Sequence, residues 1–185
     1  AGHSTGGLVC SSYAARGERR GEVRALWLNS PFFDWNVPPL KRAQLGFAAL
    51  TGRAFPFLHD PKGLDPAYGR SLHRDFGGEW DYDLKLKPLR GFPLYFGWVG
   101  AILAAHAKVH AGLDIACPVL TMHSDEADIV LDWRHCARWG RTLGPRASVL
   151  AFPGGLHDLV LSRREIREAV FSALFSWAAR AQPRG

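Results

Sequence analysis

The chain opens Ala1-Gly2-His3-Ser4-Thr5-Gly6-Gly7 and runs without a break into Leu8-Val9-Cys10-Ser11-Ser12-Tyr13-Ala14-Ala15. A small-residue turn therefore leads into a helix that begins at or just after Ser4. The Gly-x-Ser-x-Gly spacing has a mechanical reason. A serine forced into a strained turn between strand and helix needs neighbours without Cβ atoms, and Gly2 and Gly6 are expected to relieve that crowding. The helix N-terminus then leaves free backbone N–H groups beside the serine, where they favour a developing negative charge. The five-residue pattern also arises by chance in a glycine-rich chain, so the downstream sequence has to carry the assignment.

That downstream sequence alternates strands with helices. Residues 22–29 read as a buried strand ended by Ser30-Pro31. Residues 118–123 form a second strand that empties into the polar loop Ser124-Asp125-Glu126-Ala127-Asp128. A helix over about 132–143 follows, stopped by Gly144-Pro145. Residues 148–152 make a third strand that leads to Pro153-Gly154-Gly155-Leu156-His157-Asp158. The last helix is expected to start with a capping box, Ser162 as N-cap and Glu165 three residues on. Ile166, Val170, Leu174 and Trp177 then fall on one face of it. Such alternation implies a parallel α/β sheet with its chemistry at the carboxyl ends of the strands. Ser4, Asp128 and His157 all fall at those ends, in the order nucleophile, acid, histidine.

Composition bounds the alternatives. At 185 residues with 47% hydrophobic and 22% charged side chains, the chain has the size and core of one ordinary domain. The net charge of +6 invites a nucleic-acid reading, but the arginines are scattered, and Arg16, Arg19 and Arg20 read as a solvated turn; no nucleic-acid partner is expected. The longest stretch without a charged residue or His, Gly91–Ala105, spans 15 residues and contains Pro93. A membrane span needs about 20. The three cysteines, Cys10, Cys117 and Cys136, form no CxxC pair, which suits a reducing, cytoplasmic setting.

The segments Gly-His-Ser-Thr-Gly-Gly, Glu-Ala-Asp-Ile-Val and Gly-Gly-Leu-His-Asp resemble the monoacylglycerol lipase and lysophospholipase branch of the α/β-hydrolases, which overlaps the serine aminopeptidase group. The resemblance covers essentially the whole chain. It implies a partial α/β-hydrolase fold, about three parallel strands with flanking helices, plus a helical cap insertion. It further implies a serine esterase or lipase with Ser4 as nucleophile, His157 as base, Asp128 as the orienting acid and the Thr5 backbone N–H in the oxyanion hole. Gly2, His3 and Gly6 would complete the nucleophile elbow. The substrate would be a small-molecule ester or lipid, with no cofactor and no metal. Complete members of the family carry about five strands before the elbow, together with a loop that supplies a second oxyanion donor. The chain is therefore expected to be the C-terminal portion of a longer hydrolase, with the strand that aims Ser4 missing.

Residues 1–30 and 113–185 are assigned to the core and residues 31–112 to the cap, which is too long for a simple crossover. Helix-like stretches lie at 39–50 and 94–111. The apolar run Leu94, Tyr95, Phe96, Trp98, Val99, Ile102 and Leu103 either walls an acyl chain, gives peripheral contact with a lipid surface, or packs the cap. Asp125, Asp132 and Asp34 compete with Asp128 as the acid, Asp132 reading as a helix N-cap and Asp34 as a cap or lid contact. His106 and His110 have the i, i+4 spacing of a metal pair, but no third ligand accompanies them, and a packed helix face is the default. Cys10 reads as core. Two other functions remain open: an aminopeptidase, with Asp75, Glu79, Asp81 or Asp83 holding the substrate amine, and a non-catalytic binding module.

Overall fold

The structure, a computed structural model, describes residues 1–60 and 65–181. Its elements run β1 (Gly2–His3), α1 (Thr5–Arg16), β2 (Leu26–Asn29), α2 (Pro39–Thr51), β3 (His59–Asp60), α3 (Ala67–Leu72), β4 (Leu94–Tyr95), α4 (Phe96–His110), β5 (Val119–His123), α5 (Trp133–Gly140), β6 (Ala147–Ala151) and α6 (Arg164–Ala181). The chain divides into two compact units, Ala1–Asn36 with His106–Gly185 and Val37–Ala105.

The first unit is an α/β layer structure around a four-stranded parallel sheet in the order β1-β2-β5-β6. Central strand β5 is buried at every position, as expected of a parallel strand covered on both faces. Its side chains alternate. Leu120 and Met122 join Leu159 and Val170 in a core cluster, against which Trp27, Ile166, Leu174 and Trp177 pack. The helical stripe expected on α6 is therefore the stripe that covers the sheet. Thr121 points to the opposite face and meets α5 at Gly140, where an added Cβ would lie 2.9 Å from its hydroxyl oxygen. The register pairs Leu26 with Val119 and Val119 with Ala147. All four strands thus end on one side, where the loops carrying Ser4, Asp128 and His157 begin.

Several sequence expectations are corrected. The sheet has four strands rather than about three, because Gly2 and His3 pair in parallel with Leu28 and Asn29. A strand leading into Ser4 is therefore present, as Gly2–His3. Strand β2 is shorter than residues 22–29, since Arg20–Glu22 form a 3₁₀ turn closed by the Arg19–Glu22 ion pair. Helix α5 stops at Gly140 instead of 143, its last carbonyls taken up by a turn in which the Thr142 hydroxyl donates to Trp139 O. No capping box forms on Ser162. Helix α6 starts at Arg164, and the buried Ser162 hydroxyl instead accepts from the Leu156 N–H at 2.8 Å, bracing the loop that carries His157. Cys10 is half-buried, with its thiol near Ala1 O, rather than in the core.

The second unit holds α2, α3, most of α4 and the antiparallel pair β3–β4, in which His59 faces Tyr95. Tight backbone contacts close it. Gly52 lies against Phe96, and Gly97 against Pro56, so that a Cβ at either would come within 2.8 Å of its neighbour. Val99 and Ile102 are buried, which gives the packing reading to that part of the apolar run. Tyr95 of the run is exposed, and further exposed apolar side chains include Leu40, Phe47 and Leu50 of α2 and Phe55 and Phe57 after it. No helix among the described residues is long and apolar enough to cross a membrane.

Candidate active site

Ser4 is held in a backbone conformation that L-residues avoid, φ 51° and ψ −122°. Such a conformation costs roughly 1–3 kcal/mol and persists only where its surroundings impose it. Here they do. The Ser4 N–H donates to Asn29 O at 3.1 Å, and the Ser4 carbonyl accepts from Gly7 N at 2.9 Å and from Phe32 N at 3.0 Å. Although Ser4 stands at the N-cap of α1, its hydroxyl makes no capping bond, so the usual structural role of a serine at this position is not taken up. Thr5 is the first residue of the helix, where backbone N–H groups have no acceptor within the helix.

The crowding expected at both flanking glycines falls on one of them. A Cβ on Gly2 would come within 2.6 Å of Gly6 O, whereas one on Gly6 would meet nothing within 4 Å outside its own helix. Gly7 supplies the second close approach, with Pro31 Cβ at 2.8 Å from the added atom.

Across the strand ends, His157 Nδ1 lies 3.0 Å from Asp128 Oδ2, and both side chains are almost fully buried. The other Asp128 oxygen accepts from the Val130 and Leu131 N–H groups at 2.8 and 3.0 Å. Burial alone raises the Asp128 pKa. The His157 hydrogen bond and charge, aided by those two N–H groups, outweigh it and hold the carboxyl below its usual range. A carboxylate fixed in this way makes Nδ1 the protonated nitrogen of His157 and leaves Nε2 as the basic one.

The competing acids have other partners. Asp125 Oδ1 accepts from Gly154 N at 3.0 Å and Ala127 N at 3.1 Å, and these bonds lower its pKa. It ties the loop after β5 to the loop after β6, and the Ser124 hydroxyl does the same by donating to Gly155 O. Asp132 caps α5 by accepting from Arg134 N. Asp34 accepts from its neighbour Trp35 N and lies 3.9 Å from His135 Nε2. His106 and His110 turn Nε2 toward Phe32 O and Phe33 O at 2.8 and 2.9 Å, so they serve a packed helix face. Among the described residues no group of three metal-ligating side chains is found. Of the carboxylates considered for an amine, Asp81 pairs with Arg74, and Asp83 accepts from Lys85 N. Asp75 lies 3.6 Å from His73 Nδ1.

A second set of contacts beside this pair had no counterpart in the sequence reading. Asn29, buried at the end of β2, donates from Nδ2 to Asp158 Oδ1 at 2.7 Å and accepts from Leu159 N at 3.2 Å. A polar amide ending an otherwise apolar strand was the available signal. A cavity of about 860 Å³ lies at the opposite ends of the strands, where Arg24, Pro118 and Arg146 line it with Trp177. It is separate from the strand ends that carry Ser4, Asp128 and His157.

The chain is similar to known proteins in family and in fold. The family model described as serine aminopeptidase, S33, matches residues 1–164. A monoglyceride lipase from Saccharomyces cerevisiae superposes with a TM-score of 0.74 at 20% identity, covering 98% of this chain and 64% of its own. The monoacylglycerol lipase of Paleococcus ferrophilus gives 0.73 at 22% identity, with 98% and 67% covered. Est1E from Butyrivibrio proteoclasticus gives 0.55 at 20%, with 98% and 58% covered. The chain thus spans less than two thirds of the yeast lipase's length. No curated protein sequence matches it. With the family model running from the strained serine turn through the histidine loop into α6, and with the fold shared by both lipases, the chain belongs to the serine aminopeptidase S33 family of α/β-hydrolases.

Proposed function

We propose that the protein hydrolyses carboxylic esters through an acyl-enzyme on Ser4. The observation that carries this reading is the buried 3.0 Å His157–Asp128 pair, on the same side of the sheet as a serine in a strained turn with an uncommitted hydroxyl. In the first step His157 Nε2 takes the Ser4 proton as Oγ bonds to the ester carbonyl carbon. The Thr5 N–H donates to the oxyanion that forms. Collapse expels the alcohol, which receives the proton from His157. Water, deprotonated by the same nitrogen, then attacks the acyl carbon and frees the acid and Ser4. Asp128 keeps the ring in the required tautomer and stabilises the imidazolium.

The substrates proposed are monoacylglycerol- or lysophospholipid-like esters. Residues 31–112 act in this reading as the cap, with the apolar face of α2 in contact with lipid. Fluorophosphonate labelling with intact-mass readout tests the chemistry. One adduct on the wild-type chain, absent from Ser4→Ala and reduced at least about 100-fold in rate in His157→Gln, is expected. A folded chain that takes no adduct would reject the proposal. Turnover of aminoacyl amides but not of short-chain esters would move the substrate class to aminopeptidase chemistry.

A further inference from the structure

Ser4 follows β1 and His157 follows β6, and these two strands stand at opposite ends of the order β1-β2-β5-β6. With two strands between them, they run roughly 14 Å apart. The histidine loop must therefore cross the tops of β5 and β2 before His157 can serve Ser4. It does cross, since the His157 ring lies 4.8 Å from that of His3, the residue before Ser4. A loop with that reach needs an anchor near the serine.

The end of β2 supplies one. Asn29 is buried, and its backbone carbonyl accepts the Ser4 N–H at 3.1 Å. Its side chain donates from Nδ2 to Asp158 Oδ1 at 2.7 Å and accepts the Leu159 N–H on Oδ1 at 3.2 Å. One residue thus holds the serine turn with its main chain and the two residues after His157 with its amide. The bonds from the loop after β5, from Asp125 to Gly154 and from Ser124 to Gly155, reach the stretch before His157. Asn29 takes the stretch beyond it and ties that to the strand beside Ser4.

We infer that Asn29 is a positioning residue, which sets His157 against Ser4 by fixing Asp158 and Leu159. The inference rests on the function proposed above. Asn29 acts through the loop and not on the reacting atoms. An amide suits the place because it offers a donor to the carboxylate and an acceptor to the N–H at once. Leu159 is fully buried, so its N–H would be left without a partner if the amide were lost. A buried donor in that state costs more than the bond is worth, and the loop must shift to satisfy it. A displacement of about 1 Å at a catalytic group is enough to slow a reaction about 100-fold.

Two readouts decide the inference. The first is turnover of a short-chain p-nitrophenyl ester. Asn29→Leu keeps the backbone bond to Ser4 and a similar volume, and is expected to lower kcat at least about tenfold with KM changed less than about twofold. The second is amide hydrogen exchange, in which the Leu159 N–H of that variant should exchange at least about tenfold faster. A folded Asn29→Leu protein with unchanged kcat, or with unchanged protection at Leu159, would overturn the inference. Should Asn29→Leu fail to fold, Asp158 gives the same test from the other side. Asp158→Asn keeps an oxygen to accept from Asn29, whereas Asp158→Ala does not, and the first should turn over at least about three times faster than the second. Equal rates would overturn the inference. Where the single variants fold, Asn29→Leu/Asp158→Ala should be no slower than the slower single variant by more than about twofold, because both remove one link. Fully additive losses would count against it. Exchange needs no activity. A wild-type chain that neither labels nor turns over ester would therefore reject the ester-hydrolase reading, while protection at Leu159 would still decide whether Asn29 anchors the loop.

Discussion

A Cβ added at Gly2 would be pressed against the backbone of Gly6 and Gly7, and neither can give way without moving the turn that holds Ser4. One added at Gly6 projects into open space from the first turn of α1. The two glycines of the motif are thus alike in sequence and opposite in consequence. Gly2→Ala is expected to destabilise by about 1–3 kcal/mol, the range for overpacking at a site that cannot relax. It should also slow fluorophosphonate labelling, since the backbone must shift at the serine itself. Gly6→Ala is expected to be neutral or to stabilise by up to about 1 kcal/mol through helix propensity, with labelling retained. Urea unfolding of both variants checks the pair, and equal losses would show that the crowding at Gly2 is not what shapes the turn. The strain at Ser4 belongs to the same account, because an unfavourable φ of 51° is maintained by hydrogen bonds to Asn29, Gly7 and Phe32 and by the absence of a side chain at Gly2.

Helix α2 shows how far an element can be read from its residues. Its start at Pro39 was legible, because proline suits a first helical turn, and its apolar residues repeat at helical spacing. Its lack of any buried residue was not legible, since periodicity alone cannot tell a core-facing stripe from one left in solvent. The expectation therefore left the Leu94–Leu103 run open between an acyl wall, lipid contact and packing; part of it is buried, while Leu40, Phe47 and Leu50 lie 74, 71 and 61% exposed along one face. Vesicle co-sedimentation with phosphatidylcholine liposomes tests this surface. A Phe47→Ser/Leu50→Ser variant should lose most of the bound fraction, whereas Val99→Ala should not. Equal binding by all three would remove α2 as the contact. The same limit explains the site. Ser4, Asp128 and His157 could be proposed from sequence because each follows a strand, in an order that carries meaning. The bonds from Asn29 to Asp158, from Ser162 to Leu156 and from Asp125 to Gly154 join segments far apart in sequence or depend on local loop geometry that no periodic pattern encodes.

At the scale of the whole molecule, the lowered pKa values of His123, Asp125 and Asp128 make acid one condition that opens this fold, and in two stages. Burial depresses the His123 pKa, so the folded state holds that ring neutral while the unfolded chain protonates it near about pH 6.5. The stability it contributes is fully present above that pH and is lost as the pH falls toward the folded value. Asp125 and Asp128 also titrate below their unfolded range, and for them the window is lower. Their contribution is complete above about pH 4 and disappears as the pH drops through the folded values. Asp125 binds the Gly154 N–H and Asp128 binds His157, so both carboxylates tie the loop after β5 to the loop after β6. Protonating them loosens the site before the sheet beneath it. Urea midpoints taken from pH 8 to pH 3 should therefore be flat down to about 7, fall gently through the histidine window, and fall more steeply below about 4. Asp125→Asn keeps an acceptor for Gly154 N but removes the charge, and should flatten only the lower stage. A single steep loss centred near pH 6.5, unchanged in that variant, would assign the acid sensitivity to histidine alone and contradict the loop-tying role of the two aspartates.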